Sequence, residues 1–404
     1  MSIRSSSIKT SLVALAVVLV AFATVMGVRR CNSVGNCLSP STEAAAARNV
    51  PASGPLARKV LAGHARASTE PASPNEWLFV GDAFEGTFLQ LWQEHWTWTH
   101  QRWRTEFSNL RRLGMKIVIV QWVQHDDANF CTADDGQVST LDRIVAAADE
   151  ARIDLYVGLS LRTSWWSADS FRPPYMLEEL RRNEKLADKL YLRLRNHESF
   201  AGWYIPHEVT DIGVDGDRQG PVLKFFADLT GHLNSLDRFK PILAAGYTDR
   251  ETATLVHFVT WWTLFLRESG VDVLVFQDGA GLSRKVPWQN VLPLVDALDS
   301  VAKELDGEIW LVGETFSQTH GLPLDEGGFQ AVPADITRVR QQIVALGRFQ
   351  KRLLAYSYFD YMRPSASAEA ARLFESYRQF VDETSRSASR PASTRPTTGP
   401  ISGM

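Results

Sequence analysis

The chain has 404 residues, a formal net charge of −3 and 22% charged residues, which excludes the strongly basic balance of a protein that clasps nucleic acid. Its three cysteines are too few for a disulfide scaffold or a cysteine-only metal site. The length accommodates one α/β barrel of about 250–300 residues, with chain left over for tails.

Arg4 and Lys9 precede an apolar run from Ser11 to Val28. The run has the length of a marginal transmembrane helix and also fits a signal-peptide core, with Ala21-Phe22-Ala23 as a small-x-small cleavage site. Arg29 and Arg30 beyond it argue against clean secretion, because positive charge tends to stay on the cytoplasmic side. Residues 1–30 therefore read as a signal peptide or membrane anchor. The protein is expected to be exported, periplasmic or extracellular, with an inner-membrane tether left open. Residues 31–75, rich in Ala, Ser, Pro and Gly, read as a disordered linker, and 384–404 as a disordered tail. Cys31 and Cys37 could pair in an oxidising compartment; Cys131 reads as a packed or loop thiol.

Within 76–383, strand-like apolar runs alternate with amphipathic helical stretches. The expected strands are Thr87–Leu91, Lys116–Val123, Asp154–Leu161, Phe200–Ile205, Pro241–Ala245, Val271–Phe276, Ile309–Val312 and Leu353–Phe359. Most are continuously apolar, as when both faces of a parallel sheet are covered. Helical spacing follows each: Trp103, Phe107, Leu110; then Leu141, Ile144, Val145, Ala148 behind a Ser139-x-x-Asp142 start signal. Val222, Phe225, Phe226, Leu229 and Leu233 form another face, followed by Val291, Leu294, Val295, Leu298 and by Ile336, Val339, Ile343, Leu346. Further helices are expected near 174–197, 251–268 and 366–382. Eight strand–helix units predict a (β/α)8 TIM barrel in one domain over an open doubly wound sheet, and no glycine-rich phosphate fingerprint follows the first strand.

Active sites of such barrels form at the C-terminal ends of the strands. There the sequence offers Gln90 and Trp92, Gln121 and Trp122, Ser160 and Arg162, His207 and Glu208, Tyr247, Gln277 and Asp278, Glu314, Tyr358 and Asp360. The fourth run, FAGWYIPHEVTD, stops at Pro206 and delivers His207 and Glu208; the seventh, EIWLVGETFS, delivers Glu314. Two carboxylic acids are the minimal hardware of glycoside hydrolysis, and carboxyls about 5 Å apart favour double displacement with retention. In that chemistry one acid attacks as carboxylate and the other protonates the leaving oxygen. The Glu314 charge and aromatic burial would raise the Glu208 pKa, and Tyr247 could orient Glu314. Two duller readings stay beside this one, a helix cap or an arginine partner. Asp278 could be the base of an inverting pair with Glu208, or a turn aspartate before Gly279.

A fourth-strand and a seventh-strand glutamate resemble the pair of a large clan of retaining glycosidases built on this barrel. The resemblance implies acid/base for Glu208 and nucleophile for Glu314. Residues 76–383, with their GTFLQLW start and GWYIPHE stretch, also resemble an uncharacterised family of bacterial glycosidase-like barrels, catalogued as domain of unknown function 4434. The clan usually has asparagine before the acid/base, bonding the sugar 2-hydroxyl; His207 stands there and could take that role.

Thirteen tryptophans suggest core aromatics or flat platforms for the C–H faces of sugars. Trp165-Trp166, after the third strand, are expected as exposed platforms, and Trp261-Trp262 as packing. The substrate-binding set is Trp92, Gln121, Trp122, Trp165, Trp166, His207, Tyr247, Gln277, Asp278, Tyr358 and Asp360. No cofactor is required, since two carboxylates suffice. The run His125-Asp126-Asp127 with Asp134 and Asp135 matches no calcium or zinc spacing, so no metal is assigned, and no Gly-x-Ser-x-Gly elbow supports a serine hydrolase. The expected partner is a carbohydrate. The rival is a non-catalytic saccharide-binding barrel in an exopolysaccharide synthesis or export system, in which the tryptophans would matter and the acids would not.

Overall fold

The computed structural model describes residues 55–67, 83–132, 138–167, 171–214 and 216–388. The N-terminal apolar run, Cys31 and Cys37, the Asp134–Asp135 stretch and the tail beyond 388 lie outside them. Eight strands close into a barrel: β1 Gly86–Leu89, β2 Ile117–Val120, β3 Asp154–Gly158, β4 Phe200–Thr210, β5 Ile242–Tyr247, β6 Val273–Gln277, β7 Glu308–Glu314 and β8 Leu353–Tyr356. Each pairs in parallel with the next, and β8 pairs with β1. All eight expected runs supply a strand, with ends displaced by a few residues.

A helix follows every strand: α2 His100–Arg112, α3 Thr140–Ala151, α4 Pro173–Leu194, α5 Gln219–Leu236, α6 Leu255–Glu268, α7 Leu292–Glu304, α8 Ile336–Gly347 and α9 Ala368–Ala388. The Ser139 signal is a capping box: its hydroxyl accepts from the Asp142 N–H while the Asp142 side chain takes the Ser139 N–H. Helix α9 runs five residues past the end expected for the folded unit.

One further helix, α1 Pro55–Ala67, corrects the linker reading. Pro55 sits at its start, where the missing N–H costs nothing. Ala57 and Val60 enter the core against α6 and α7, and Lys59 pairs with Glu304 at 2.7 Å. Its apolar stripe, Leu56, Ala57, Val60 and Leu61, is one short run inside a stretch otherwise rich in Ala, Ser, Pro and Gly.

Strand residues alternate between two cores. On β4, Trp203 and Ile205 join the layer between strands and helices, while Tyr204 points into the barrel. On β7, Trp310 and Val312 point inward, and the same period carries Glu314 inward two residues later. Trp261 and Trp262 on α6 are fully buried packing residues, as expected. Each such side chain contributes roughly 1.5–3 kcal/mol by leaving water.

Candidate active site at the C-terminal mouth

Glu208 owes its position to a break in β4. Ile205 pairs with Ala244 and Val209 with Gly246, so β4 advances four residues while β5 advances two. Pro206, which has no N–H for the ladder, begins the bulge, and such bulges re-aim side chains near active sites. Two features behind the strand clamp it. The Trp165 indole N–H donates to the Glu208 carbonyl at 3.2 Å. His207 turns away from the barrel: its Nε2 meets Glu179 Oε2 of α4 at 3.0 Å, and its ring packs edge-on against Trp165 and Phe225. Burial works against the Glu179 charge. Its bonds and charge pairing with His207 and Arg162 outweigh that and hold it below the usual carboxylate range.

Inside the barrel, Glu208 is 4% exposed. Its Oε1 accepts from the Gln277 amide at 3.2 Å and from the Gln121 amide at 3.5 Å. Burial pushes its pKa up to about 7, and the Gln277 bond pulls weakly the other way. Removal from water is the leading cause; the Glu314 charge, expected to help, is not among the causes.

Glu314, also 4% exposed, lives in a different setting. Its Oε2 accepts the Gly281 N–H at 2.7 Å, and its own N–H donates to Asp278 Oδ1 at 3.2 Å. Asp278 is held by the Gln342 amide at 2.6 Å and the Ala280 N–H at 3.0 Å. Gly279 after it is left-handed at φ 61°, so the turn reading of Asp278 is right about the backbone. The same carboxylate also braces β7. Burial first, and then the Asp278 charge, raise the Glu314 pKa. The Gly281 N–H, Arg338 and Arg250 oppose them. Two buried acids this close titrate as a pair.

Both glutamates lie toward the C-terminal ends of their strands, where Glu314 lines a cleft that Glu208 meets only through Gln277. Gln277 bonds Glu208 and lines a cleft with Glu314, Tyr247, Thr248, Asp249, Arg250, Gly279, Leu282 and Arg284. The cleft is narrow, about 20 Å³, enough for one water. Its roof is the 279–285 loop and an antiparallel hairpin, Phe316–His320 with Gln330–Pro333, whose Gln318 accepts the Ser283 N–H. Phe316 rests against Phe329 and Tyr361.

Several expected site residues lie elsewhere. Trp165 and Trp166 are 5% and 8% exposed, so the exposed-platform reading is corrected: the turn they form folds back onto the helix layer. Trp122 is equally buried, stacked on His125 at 4.6 Å with its indole N–H on the Leu91 carbonyl. Trp92, edge-on to Trp122, is half-buried. His207 faces the helices and cannot take the role of the clan's asparagine. Tyr358 is fully buried outside the barrel, with its hydroxyl on Glu106 of α2 at 2.7 Å. Asp360 pairs with the Ser357 hydroxyl in the turn after β8 and is raised to about 6, by burial against that bond. Tyr247 does line the cleft; Glu208, Asp211 and Thr210 are the neighbours acting on its hydroxyl. In the loop once weighed as metal-binding, Asp126 instead bonds Thr163 through its N–H at 2.8 Å and its hydroxyl at 2.6 Å. Among the described residues no cluster of three His, Cys, Asp or Glu is placed to hold a metal, and no helix is long and apolar enough to cross a membrane. Cys131 is buried with a free thiol. Tyr204 and Tyr356 also point into the barrel, Tyr356 in register with Glu314, and neither is among the expected site residues. The signal was there: each stands an even number of residues from an inward-facing position.

Known structures share this architecture. A provisionally assigned α-L-fucosidase of Bacteroides thetaiotaomicron VPI-5482 aligns with 78% of this chain and 99% of its own, at 17% identity and a TM-score of 0.63. An endo-1,4-β-mannanase of Rhizomucor miehei aligns with 75% of this chain and 95% of its own (12% identity, TM-score 0.51). A β-galactosidase of the psychrophilic Marinomonas ef1 aligns with 75% of this chain and 60% of its own (13% identity, TM-score 0.51). At such identities the likeness establishes the fold. A search of curated protein sequences finds no match. The model of one family covers residues 84–368, the whole barrel from before β1 to the start of α9, and the chain belongs to that family, described as Domain of unknown function (DUF4434).

Proposed function

We propose that this barrel is a retaining glycoside hydrolase acting on a polysaccharide or oligosaccharide. The observation that carries the reading is a pair of buried carboxyls on the inner face of β4 and β7 at one mouth, the first holding its proton to about pH 7. Glu208, with no cation among the causes of its shift, suits the acid. Glu314, itself raised to about 8 by burial and the Asp278 charge, is supported as a carboxylate by the Gly281 N–H and two arginines once Asp278 carries the pair's proton. In the first step Glu314 bonds the anomeric carbon as the glycosidic bond breaks, and the Glu208 proton goes to the leaving oxygen. In the second, Glu208 takes a proton from water, whose oxygen displaces Glu314.

The names of the structural neighbours (fucosidase, mannanase, galactosidase) agree with this class. The saccharide-binding rival relied on open tryptophan platforms, and Trp122, Trp165 and Trp166 are packed away. The apolar run at 11–28 supports export, which cell fractionation checks. The deciding experiment is reducing-end release from a panel of bacterial glycans, with the anomer formed first read by proton NMR. Binding without cleavage defeats the hydrolase, and an inverted first product defeats retention.

A further inference from the structure

Around Glu208 the inner face of the barrel carries polar atoms that no described residue engages. They are Gln90 Oε1, Gln121 Oε1, Glu208 Oε2 and the hydroxyls of Tyr204 and Tyr356. Their residues are at most 5% exposed. The rest of the interior is apolar: Phe88, Ile117, Ile119, Leu243, Val273, Val275 and their neighbours. A buried polar atom without a partner costs about 1–3 kcal/mol. Other unpartnered atoms, such as the indole N–H groups of Trp203, Trp261 and Trp262, lie scattered in the layer between strands and helices, whereas these five share the inner face of the barrel.

The five belong together. Both tyrosine hydroxyls feel the Glu208 charge, and Tyr356 also feels Tyr204. The Phe88 ring lies between the two phenols, 5.7 Å from Tyr204 and 5.4 Å from Tyr356 between centroids, as an apolar floor. Gln90 follows Phe88 by two residues on the same face, and Gln121 reaches Glu208 from β2.

The chemistry of this belt is neutral: amides, phenols and one acid. The nearby cations are held elsewhere. Arg250 gives its N–H groups to the carbonyls of Gly279, Leu282 and Val286, and Arg338 to those of Glu314 and Phe316. Arg284 faces Asp249 at 3.5 Å. Nothing in the belt would neutralise a carboxylate or phosphate, whereas a ring bearing several hydroxyls meets both its donors and its acceptors.

We propose that Gln90, Gln121, Tyr204 and Tyr356 bind the hydroxyls of a neutral pyranose ring whose linkage oxygen faces Glu208, entering by displacement of the 279–285 loop that narrows the resting cleft to about 20 Å³, so that the substrate is an uncharged glycan and not a uronate or phosphorylated one. The assignment rests on the hydrolase reading of the same mouth.

The test is calorimetric, on full-length Glu314→Gln protein so that no bond is cut. The probes are gluco-, manno- and galacto-configured tetraoses and tetragalacturonate. At least one neutral tetraose binds, tetragalacturonate does not, and adding Tyr356→Phe or Gln90→Leu weakens the neutral ligand tenfold or more. Tyr204→Phe does the same and serves as the second phenol. In the unliganded protein, removing either hydroxyl leaves the melting temperature unchanged or raises it, because an unmet polar atom is lost; a merely structural hydroxyl would lower it. The proposal is overturned if no neutral tetraose binds, if the uronate binds more tightly, or if the belt variants bind as tightly as their parent. Hydrolysis by Glu208→Gln and Glu314→Gln separates the two claims. Wild-type turnover there removes the two-glutamate assignment whatever the belt does, while unchanged affinity in the belt variants removes only the belt.

Discussion

Glu208 and Glu314 are the same residue type, equally buried, at one mouth, yet they sit in opposite surroundings. The Glu208 side is neutral inside the barrel, with two amides on one oxygen and the ion pairs kept behind the strand. The Glu314 side is a web of charge: Asp278, Arg250, Arg338 and a backbone N–H. Burial raises both carboxyls, Glu208 to about 7 and Glu314, with the Asp278 charge, to about 8, so the proposed division of labour rests on the partners of each: neutral amides for Glu208, a second acid, a backbone N–H and two arginines for Glu314.

The sharpest way to break this comparison is to neutralise each side in turn. Glu314→Gln and Glu208→Gln each lower turnover by roughly 10³-fold or more, a size typical of a lost proton-transfer or nucleophilic group. Only Glu208→Gln spares aryl glycosides whose leaving group needs no proton. Steady-state rates on phenyl and dinitrophenyl glycosides check this, and equal losses on both would erase the asymmetry.

The next effect is on stability. Glu208 titrates near 7 when folded and near the ordinary 4.5 when unfolded. Below 4.5 both states are protonated and its contribution is intact. From there to 7 the unfolded chain ionises while the folded one does not, so stability falls, by on the order of 3 kcal/mol. Glu208→Gln lacks this term, so its stability relative to wild type improves by that amount between pH 4 and pH 8. Urea unfolding at the two pH values reads it, and parallel wild-type and variant curves would count against a proton held by burial.

On the other side, Asp278→Asn removes the like charge that helps hold Glu314 up. The acid limb of the pH–rate profile moves to lower pH while the basic limb, set by Glu208, stays. Movement of the basic limb instead would mean that the roles are exchanged. Smallest is Trp165→Phe, which loses one bond to the Glu208 carbonyl, about 1 kcal/mol. It slows turnover several-fold with little change in KM; a KM effect alone would place Trp165 against substrate.

The barrel was legible because buried parallel strands are continuously apolar, and Glu208 and Glu314 because each ends such a run. What failed to read was direction. His207 was taken for a substrate ligand beside Glu208, although neighbours on a strand face opposite sides; that rule sends it to Glu179. The same rule, applied from Glu208, points Tyr204 inward. Tyr358 and Trp165 look like mouth residues by position, yet the chain after β8 and after β3 turns outward and buries them under helices. The Asp278–Glu314 pairing was illegible, because 36 residues separate them in sequence and only the β6–β7 register makes them adjacent. The α1 helix does not stand out in the sequence because its single apolar stripe is embedded in a stretch whose composition is that of a linker.

One residue, Thr315, separates Glu314 from the hairpin that roofs the cleft. Phe316, the first residue of that hairpin, presses on Gly281, where even a methyl group would come within 2.6 Å of its ring, and Gly281 in turn holds the Glu314 carboxylate. Hairpin and carboxylate are thus one continuous piece of chain, and any displacement of Phe316 is passed through Gly281 to Glu314.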